Sequence, residues 1–454
     1  MTTIQSLASL AIMNYLEYLA ILGFVFLARA LRFLAKLLRK GSGTSLPGLL
    51  IEKYYPQILK PLAQKYSTII LISGTNGKTT TRSILAHLFR SNNQKICTNS
   101  GGANIYRGLA SSILFDFNLL QNKPNSDTLI LEVEEATLPR LSQYLKANYL
   151  ILTNVFRDQL DVYGEIEQTG KYFETAINNL TQKSNLNLVF NAEDPQLVNL
   201  INRLDISKIN LAGFELKVDV SQKPKFEGNL QALIPKYQLA TADKIILDNN
   251  TSEFDFEYKN QKVHCELNLS GIYNIYNALG AMLVARDVLK LENFEALKSL
   301  TKVFGRGETV KIGSNTLQLF LVKNPAGFEQ VLGSFKNRTK DKLIILINDN
   351  IADGRDVSWL WDTNFERYYE NLQKSFESFK TGGSRGFDIL LRLQMAGFDV
   401  KPEDNFQDLS QLQAQIKTST NAHFTICATY TALLEIRKLI GTEVSLAAID
   451  SSEF

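Results

Sequence analysis

The clearest pattern in the chain is a short apolar run that breaks at glycine and resumes at a helical period. Ile69–Ile72 is unbroken Ile and Leu, which suits a strand buried on both faces of a parallel sheet. After a glycine-bracketed turn, Ile84, Leu85, Leu88 and Phe89 recur at helical spacing within 82–90. Further on, 95–98, 128–133, 149–155 and 187–190 read as strands, with helical patterns over 138–147 and 166–180 between them. That alternation predicts a doubly wound parallel sheet. Residues 201–270 are strand-like but irregular, as an insertion or a sheet edge would be, and 271–289 is strongly helical. A second unit follows Gly305-Arg306-Gly307-Glu308, with strands expected at 317–322, 342–347 and Phe387–Leu390 or nearby. The chain thus divides into an N-terminal segment and linker (1–43), a main α/β unit (44–309) and a smaller C-terminal α/β unit (310–454).

The N-terminal segment has its own pattern. From Ile4 to Ala28 the only charge is Glu17, and then Arg29, Arg32, Lys36, Arg39 and Lys40 arrive together. The length would suffice for a membrane span, although Glu17 near its middle would cost roughly 3 kcal/mol in lipid. An interfacial helix with its basic end on anionic headgroups is the second possibility, and a helix packed on the protein's own surface is the third. Either membrane arrangement keeps the basic flank on the cytoplasmic side, at the inner face of the cell membrane. A cleaved signal peptide is disfavoured, because the charges follow the apolar run.

Composition changes this picture little. The net charge of +3 leaves no overall nucleic-acid footprint. Three cysteines, Cys97, Cys265 and Cys427, lie far apart, so neither a disulfide framework nor a cysteine-rich zinc site is expected, and a reducing compartment fits.

Chemistry concentrates in four places. The turn after Ile72 reads S-G-T-N-G-K-T-T-T. Strand, glycine loop and helix in that order form the setting of a phosphate-binding loop, although Ile72 stands where the general G-x-x-x-x-G-K-[ST] pattern has its first glycine. Glycine lets backbone N–H groups close on phosphate oxygens, and the helix N-terminus adds positive potential. Gly74, Thr75, Asn76, Gly77, Lys78, Thr79 and Thr80 are the candidate ATP-binding residues, Lys78 reaching the phosphates and Thr79 holding Mg²⁺. Leu129–Glu135 runs an apolar strand into carboxylates at its C-terminal end, where a metal on the triphosphate would sit. Glu132 is the first choice of ligand there and Glu135 the second. In G-I-Y-N-I-Y-N-A-L, Asn274 and Asn277 share a helix face and could offer donor and acceptor to adenine; capping would explain one of them equally well. Finally, Asp349, Asp353, Asp356 and Asp362 crowd the loop after 343–347, beside Trp359 and Trp361. Such carboxylates could handle protons or an amine, or could each serve turn chemistry. No nucleophile–base pair is evident.

These stretches resemble the Mur ligase superfamily, in its ATP loop and its G-x-Y-N-x-Y-N-A-L helix. Finer motifs resemble the MurT family: T-S-L-P-G at 44–48, G-G-A-N at 101–104, E-E-A-T-L-P-R at 134–140 and N-V-F-R-D-Q-L-D-V-Y-G-E at 154–165. They continue with N-A-E-D-P at 191–195, K-N-P-A-G at 323–327 and D-N-I-A-D-G-R-D-V-S-W at 349–359. The resemblance implies an α/β fold: a Mur ligase-like P-loop ATP-binding domain with a parallel sheet, plus a smaller C-terminal α/β (Rossmann-like) domain. It implies use of ATP and Mg²⁺ to activate the α-carboxyl of D-glutamate in lipid II, and adds Arg306 to the ATP-binding residues. Ammonia would come from a GatD-type glutamine amidotransferase subunit. Asp356 is matched to the loop aspartate that supports amide formation or the partner's Cys–His pair, with Asp349 and Asp353 as alternates. Family members commonly carry a four-cysteine zinc ribbon, but 201–262 holds no cysteine, so no zinc is expected here. A stand-alone Mur-type amino acid or peptide ligase is the alternative function.

Overall fold

The computed structural model describes residues 19–30, 33, 46–99, 103–156, 166–219, 223–224, 226, 228–234, 236–248, 251–300, 305–335 and 341–441. Of the linker that composition suggests at 41–48, residues 41–45 lie outside them, as do Gly101, Gly102 and most of the motif at 154–165, whereas Leu46–Gly48 belong to a helix over Leu46–Tyr54.

The first unit is built on nine strands: β1 (Thr68–Ser73), β2 (Ile96–Thr98), β3 (Thr128–Glu132), β4 (Tyr149–Leu152), β5 (Leu186–Asn191), β6 (Ile209–Leu216), β7 (Gln238–Leu247), β8 (Ser252–Tyr258) and β9 (Gln261–Leu267). Their order is β9-β8-β7-β6-β5-β4-β1-β3-β2. Pairing is parallel from β2 through to β7, and β8 and β9 add an antiparallel edge. Strand β8 reads S-E-F-D-F-E-Y, with Ser252, Phe254, Phe256 and Tyr258 buried and the acidic residues between them facing outward. That period of two marks a sheet wet on one face, so the irregular stretch 201–270 is largely sheet edge. The central strand β1 is buried throughout except at Thr68. Helices α1 (Lys78–Ser91) and α2 (Ile272–Leu289) pack on one face, where Ile70, Ile72, Leu85, Leu88, Leu279 and Met282 share a core. Residues 19–30 are helical and meet the opposite core through Ile21, Val25 and Ala28, at one-face helical spacing. Arg29 Nη2 donates to the Phe117 carbonyl at 2.8 Å, and Phe24 stacks on Tyr55. Phe26 and Phe33 remain about 70% exposed. Among the described residues no helix is long and apolar enough to cross a membrane.

The second unit carries β10 (Arg306–Ile312), β11 (Asn315–Leu321), β12 (Asp341–Leu346), β13 (Phe376–Gly382) and β14 (His423–Ala428), with helices α3 (Pro325–Ser334), α4 (Gly386–Met395) and α5 (Tyr430–Gly441). Strand order is β10-β11-β14-β12-β13, antiparallel for β10–β11 and parallel elsewhere. The seam expected at 309/310 falls inside β10, whose ladder with β11 ties it to this second sheet. The strand expected at Phe387–Leu390 is instead the first part of α4. Ile389, Leu390 and Leu393 bury one helical face, and the strand lies earlier, at β13. β13 is an edge strand whose sequence F-E-S-F-K-T-G mixes charge among its apolar positions, so its signal is weaker than that of the apolar run beginning at Phe387.

Candidate active site

The loop between β1 and α1 is shaped by its neighbours. Gly74 and Gly77 have φ of +130° and +87°, a region side chains disfavour. A Cβ on Gly77 would stand 2.1 Å from Asn277 Oδ1, and one on Gly74 2.2 Å from Thr153 Oγ1. The loop backbone is clamped from the end of β4. Asn76 N donates to Asn154 Oδ1 at 2.9 Å, and Asn154 Nδ2 and Thr153 Oγ1 both donate to the Asn76 carbonyl, at 3.0 and 2.7 Å. Thr75 N donates to the Asn154 carbonyl at 2.9 Å.

Around this loop lies a buried cluster of opposite charges. Lys78 Nζ donates to the carbonyls of Gly74 (2.7 Å) and Thr75 (3.3 Å) and to Glu135 Oε1 (3.1 Å), with Glu134 Oε2 at 4.0 Å. Thr79 Oγ1 donates to Glu132 Oε1 at 2.8 Å, and Arg82 Nε faces the other Glu132 oxygen at 3.4 Å. Asn99 fixes the end of β3, accepting from Glu132 N at 2.9 Å and donating to the Glu132 carbonyl at 3.1 Å. Burial pushes the Glu135 carboxyl well above the usual carboxylate range; Lys78 opposes that shift and Glu134 adds to it. Thr79 and Glu132 are hard oxygen donors side by side at the mouth of the loop, a pairing that suits Mg²⁺. The buried Asn76 Nδ2 has no hydrogen-bond partner among the described residues, as expected of a group awaiting a ligand oxygen.

Beside the loop is an open cleft between the two units, lined among others by Gly77, Asn274, Asn277, Gly305, Gln318 and Gly327. Asn277 packs against Gly77, whereas Asn274 Nδ2 donates to the Ser270 carbonyl at 2.7 Å near the start of α2. Asn324 stands at the start of α3, whose Gly327 lines the cleft. Its Oδ1 caps α3 by accepting from Gly327 N at 2.7 Å, and its Nδ2 donates to Asn76 Oδ1 at 3.2 Å, joining the second unit to the loop. Arg306 opens β10, and its side chain lies outside the description.

The aspartates are placed differently, and none of Asp349, Asp353 and Asp356 lines the cleft. Asp353 is buried, accepting from Thr431 N at 2.7 Å and from the Thr431 hydroxyl, so it caps α5. That engagement is turn and cap chemistry, the alternative its sequence left open. Asp349, half-buried, accepts from Ser384 Oγ at 2.7 Å and pairs with Arg385 Nε at 3.1 Å. Asp356 is exposed. The Ser358 backbone N–H, at 2.8 Å from its Oδ1, holds its carboxyl below the usual range, and the Ser358 hydroxyl adds to the effect.

Comparison with known proteins assigns the two units to families. A Mur ligase middle domain matches residues 72–285 and a MurT ligase C-terminal domain matches 321–433. By fold, the chain is similar to MurF from Acinetobacter baumannii (TM-score 0.65, 13% identity, 89% of this chain and 80% of that one). It is also similar to MurF from Thermotoga maritima, solved with ADP (TM-score 0.60, 15% identity, 85% and 82%). The molecule is therefore a Mur ligase-type α/β protein. Within that class, the lipid II isoglutaminyl synthase (glutamine-hydrolyzing) subunit MurT of Streptococcus pneumoniae is 30% identical over 442 residues, 89% of this chain and 94% of its own. Its Staphylococcus aureus counterpart is 30% identical over 398 residues, 81% and 87%. The chain belongs to the MurT family.

Proposed function

We propose that this protein is an ATP-dependent carbon–nitrogen ligase that amidates the α-carboxyl of D-glutamate in lipid II to D-isoglutamine. The observation that carries the reading is the constellation of buried Lys78 and Glu132 with half-buried Thr79 at a phosphate loop beside the cleft between the units. Lys78 and the loop N–H groups would hold the triphosphate, and Asn274 and Asn277 would flank the base. Thr79 and Glu132 would hold Mg²⁺, which when bound neutralises phosphate charge. A carboxylate resists attack by a nitrogen nucleophile, and phosphorylation supplies the leaving group. The C–N bond then forms as the C–O bond to phosphate breaks. Lys78 offsets the charge that develops on the transferring phosphoryl. The Asn324–Asn76 contact would set the second unit against the loop as the carboxyl arrives.

The nitrogen comes from a GatD-type glutaminase subunit. Cys97 and Cys265 are buried, which raises both thiols and keeps them from acting as thiolates, and Cys427 is buried too. The N-terminal segment seats the enzyme on the inner membrane face, with the exposed Phe26 and Phe33 meeting lipid. The experiment that separates this reading from a stand-alone amino acid ligase is ADP release by the purified chain with ammonia or with amino acids. Ammonia should support it; an amino acid supporting it instead would transfer the assignment to the alternative.

A further inference from the structure

Helix α3 turns one face to the cleft. Gly327, Gln330, Val331 and Ser334 line it, at the i, i+3, i+4 and i+7 spacing of a single helical face, while Phe328 and Leu332 are buried in the core of the second unit. The Asn324–Asn76 contact at the head of α3 holds that face against the phosphate loop. Gln330 carries the one amide on it. Its Nε2 is buried and, among the described residues, has no hydrogen-bond partner. An amide N–H shut away from water without a partner destabilises a fold, so such a group at a ligand cleft points to a ligand that completes it. We propose that Gln330 is a specificity-determining residue for the nucleotide, its Nε2 donating to a ring nitrogen of the adenine base.

The inference rests on the ATP-dependent reading above and carries recognition of the base into the second unit. Gln330 stands where the cleft meets a second cavity, and Gly77, Tyr273 and Asn277 also line both. Among the described residues no charged side chain lines either cavity. Phosphates belong instead at the loop N–H groups beside Lys78, so the part of the nucleotide that passes Gly77 toward Gln330 is its uncharged end. The walls there fit a base. Phe156, Phe226 and Tyr276 line the second cavity, with Phe226 stacked on Phe156 at 5.4 Å and edge-on to Tyr276 at 6.1 Å. Adenine sets an accepting ring nitrogen beside its amino group, N7 on one edge and N1 on the other. A glutamine amide can donate to that nitrogen while its oxygen accepts from the amino group. Asn277 comes to the same junction from the first unit, so the base is held from both units and its binding draws them together.

The test is calorimetric titration of the full chain with ATP, 1-deaza-ATP and 7-deaza-ATP, in the wild type and in Gln330→Met. In the wild type, one of the two analogues lacks the nitrogen that Gln330 reads, and its Kd should be about tenfold above that of ATP. Gln330→Met should bind ATP about as weakly as the wild type binds that analogue, and should lose nothing further when the analogue replaces ATP. Gln330→Asn keeps an amide but withdraws it by one methylene, and should behave as the methionine variant does. A merely structural role would weaken all three nucleotides alike and leave the tenfold step in place in both variants; that result would overturn the inference, as would equal binding of the three by the wild type. Loss of all nucleotide binding in both variants would overturn it too, because one neutral contact at the base leaves the grip on the phosphates intact. A wild type that binds no ATP would overturn the ATP-dependent reading together with it.

Discussion

Two loops follow buried parallel strands in this molecule, and each carries carboxylates, yet they are wired in opposite ways. In the first unit, Glu132 and Glu135 are buried and each faces a cation, Arg82 or Lys78. In the second, Asp353 and Asp356 satisfy themselves on backbone N–H groups of their own unit, and Asp356 stays in water. Burial raises Glu135, whereas hydrogen bonding lowers Asp356. The first arrangement creates a dry, charged site for phosphoryl transfer. The second presents on an outer surface a carboxylate that its hydrogen bonds favour in the ionised form, where another protein can use it.

If that contrast holds, the largest effect comes from Lys78→Ala. Steady-state ATP turnover should fall on the order of 10³-fold or more, because no other residue of the loop supplies that charge. Near-normal turnover would break the assignment of the first loop. Next come Thr79→Ala and Glu132→Gln, each removing one oxygen donor of the metal pair. Turnover at limiting Mg²⁺ should fall about 10²-fold and recover partly as Mg²⁺ is raised; a loss indifferent to Mg²⁺ would assign the pair a packing role.

Asp356→Asn tests the second loop. Glutamine-driven amidation with the glutaminase present should drop roughly tenfold or more while ammonia-driven amidation and ATP affinity stay put. An equal loss with both nitrogen sources would place Asp356 at the acyl phosphate instead.

The smallest effect concerns pH. A carboxyl raised in the fold binds more protons folded than unfolded, so its contribution to stability is present below the ordinary carboxylate range and is lost as pH rises through its raised range. Glu135→Gln should therefore gain stability over the wild type as pH rises through that window. The same substitution removes a competitor for Lys78, so its ATP affinity should exceed the wild type's at high pH and converge with it at low pH. Melting curves and ATP titrations across that range check both signs, and parallel wild-type and variant curves would contradict them.

What the sequence reveals of the site follows how local each device is. The glycine loop and its Lys-Thr are legible because the geometry needs those residues within one turn. The carboxylate at the end of β3 is legible because it closes an apolar strand beside the glycine loop, although a solvated strand end would read the same way. The clamps on the loop are not. Thr153, Asn154 and Asn324 reach it from 77 or more positions away, and their spacing carries no signature. Arg82 reads only as a polar position on α1, although it faces Glu132. Aspartate composition alone did not separate Asp353, a helix cap, from Asp356, an exposed carboxylate. The exchange of strand for helix at Phe387 has the same origin, since a short apolar run does not declare its period.

The central claim is that ATP activates the carboxylate in the cleft and that ammonia, not glutamine, is this chain's own nitrogen substrate. It is tested most directly by incubating the purified chain alone with ATP, Mg²⁺ and lipid II carrying oxygen-18 in the D-glutamate α-carboxyl, with either ammonia or glutamine. The account predicts that with ammonia each amide formed releases phosphate bearing one oxygen-18, and that glutamine alone yields no amide. Unlabelled phosphate beside amidated product, or amidation driven by glutamine without a second subunit, would contradict it.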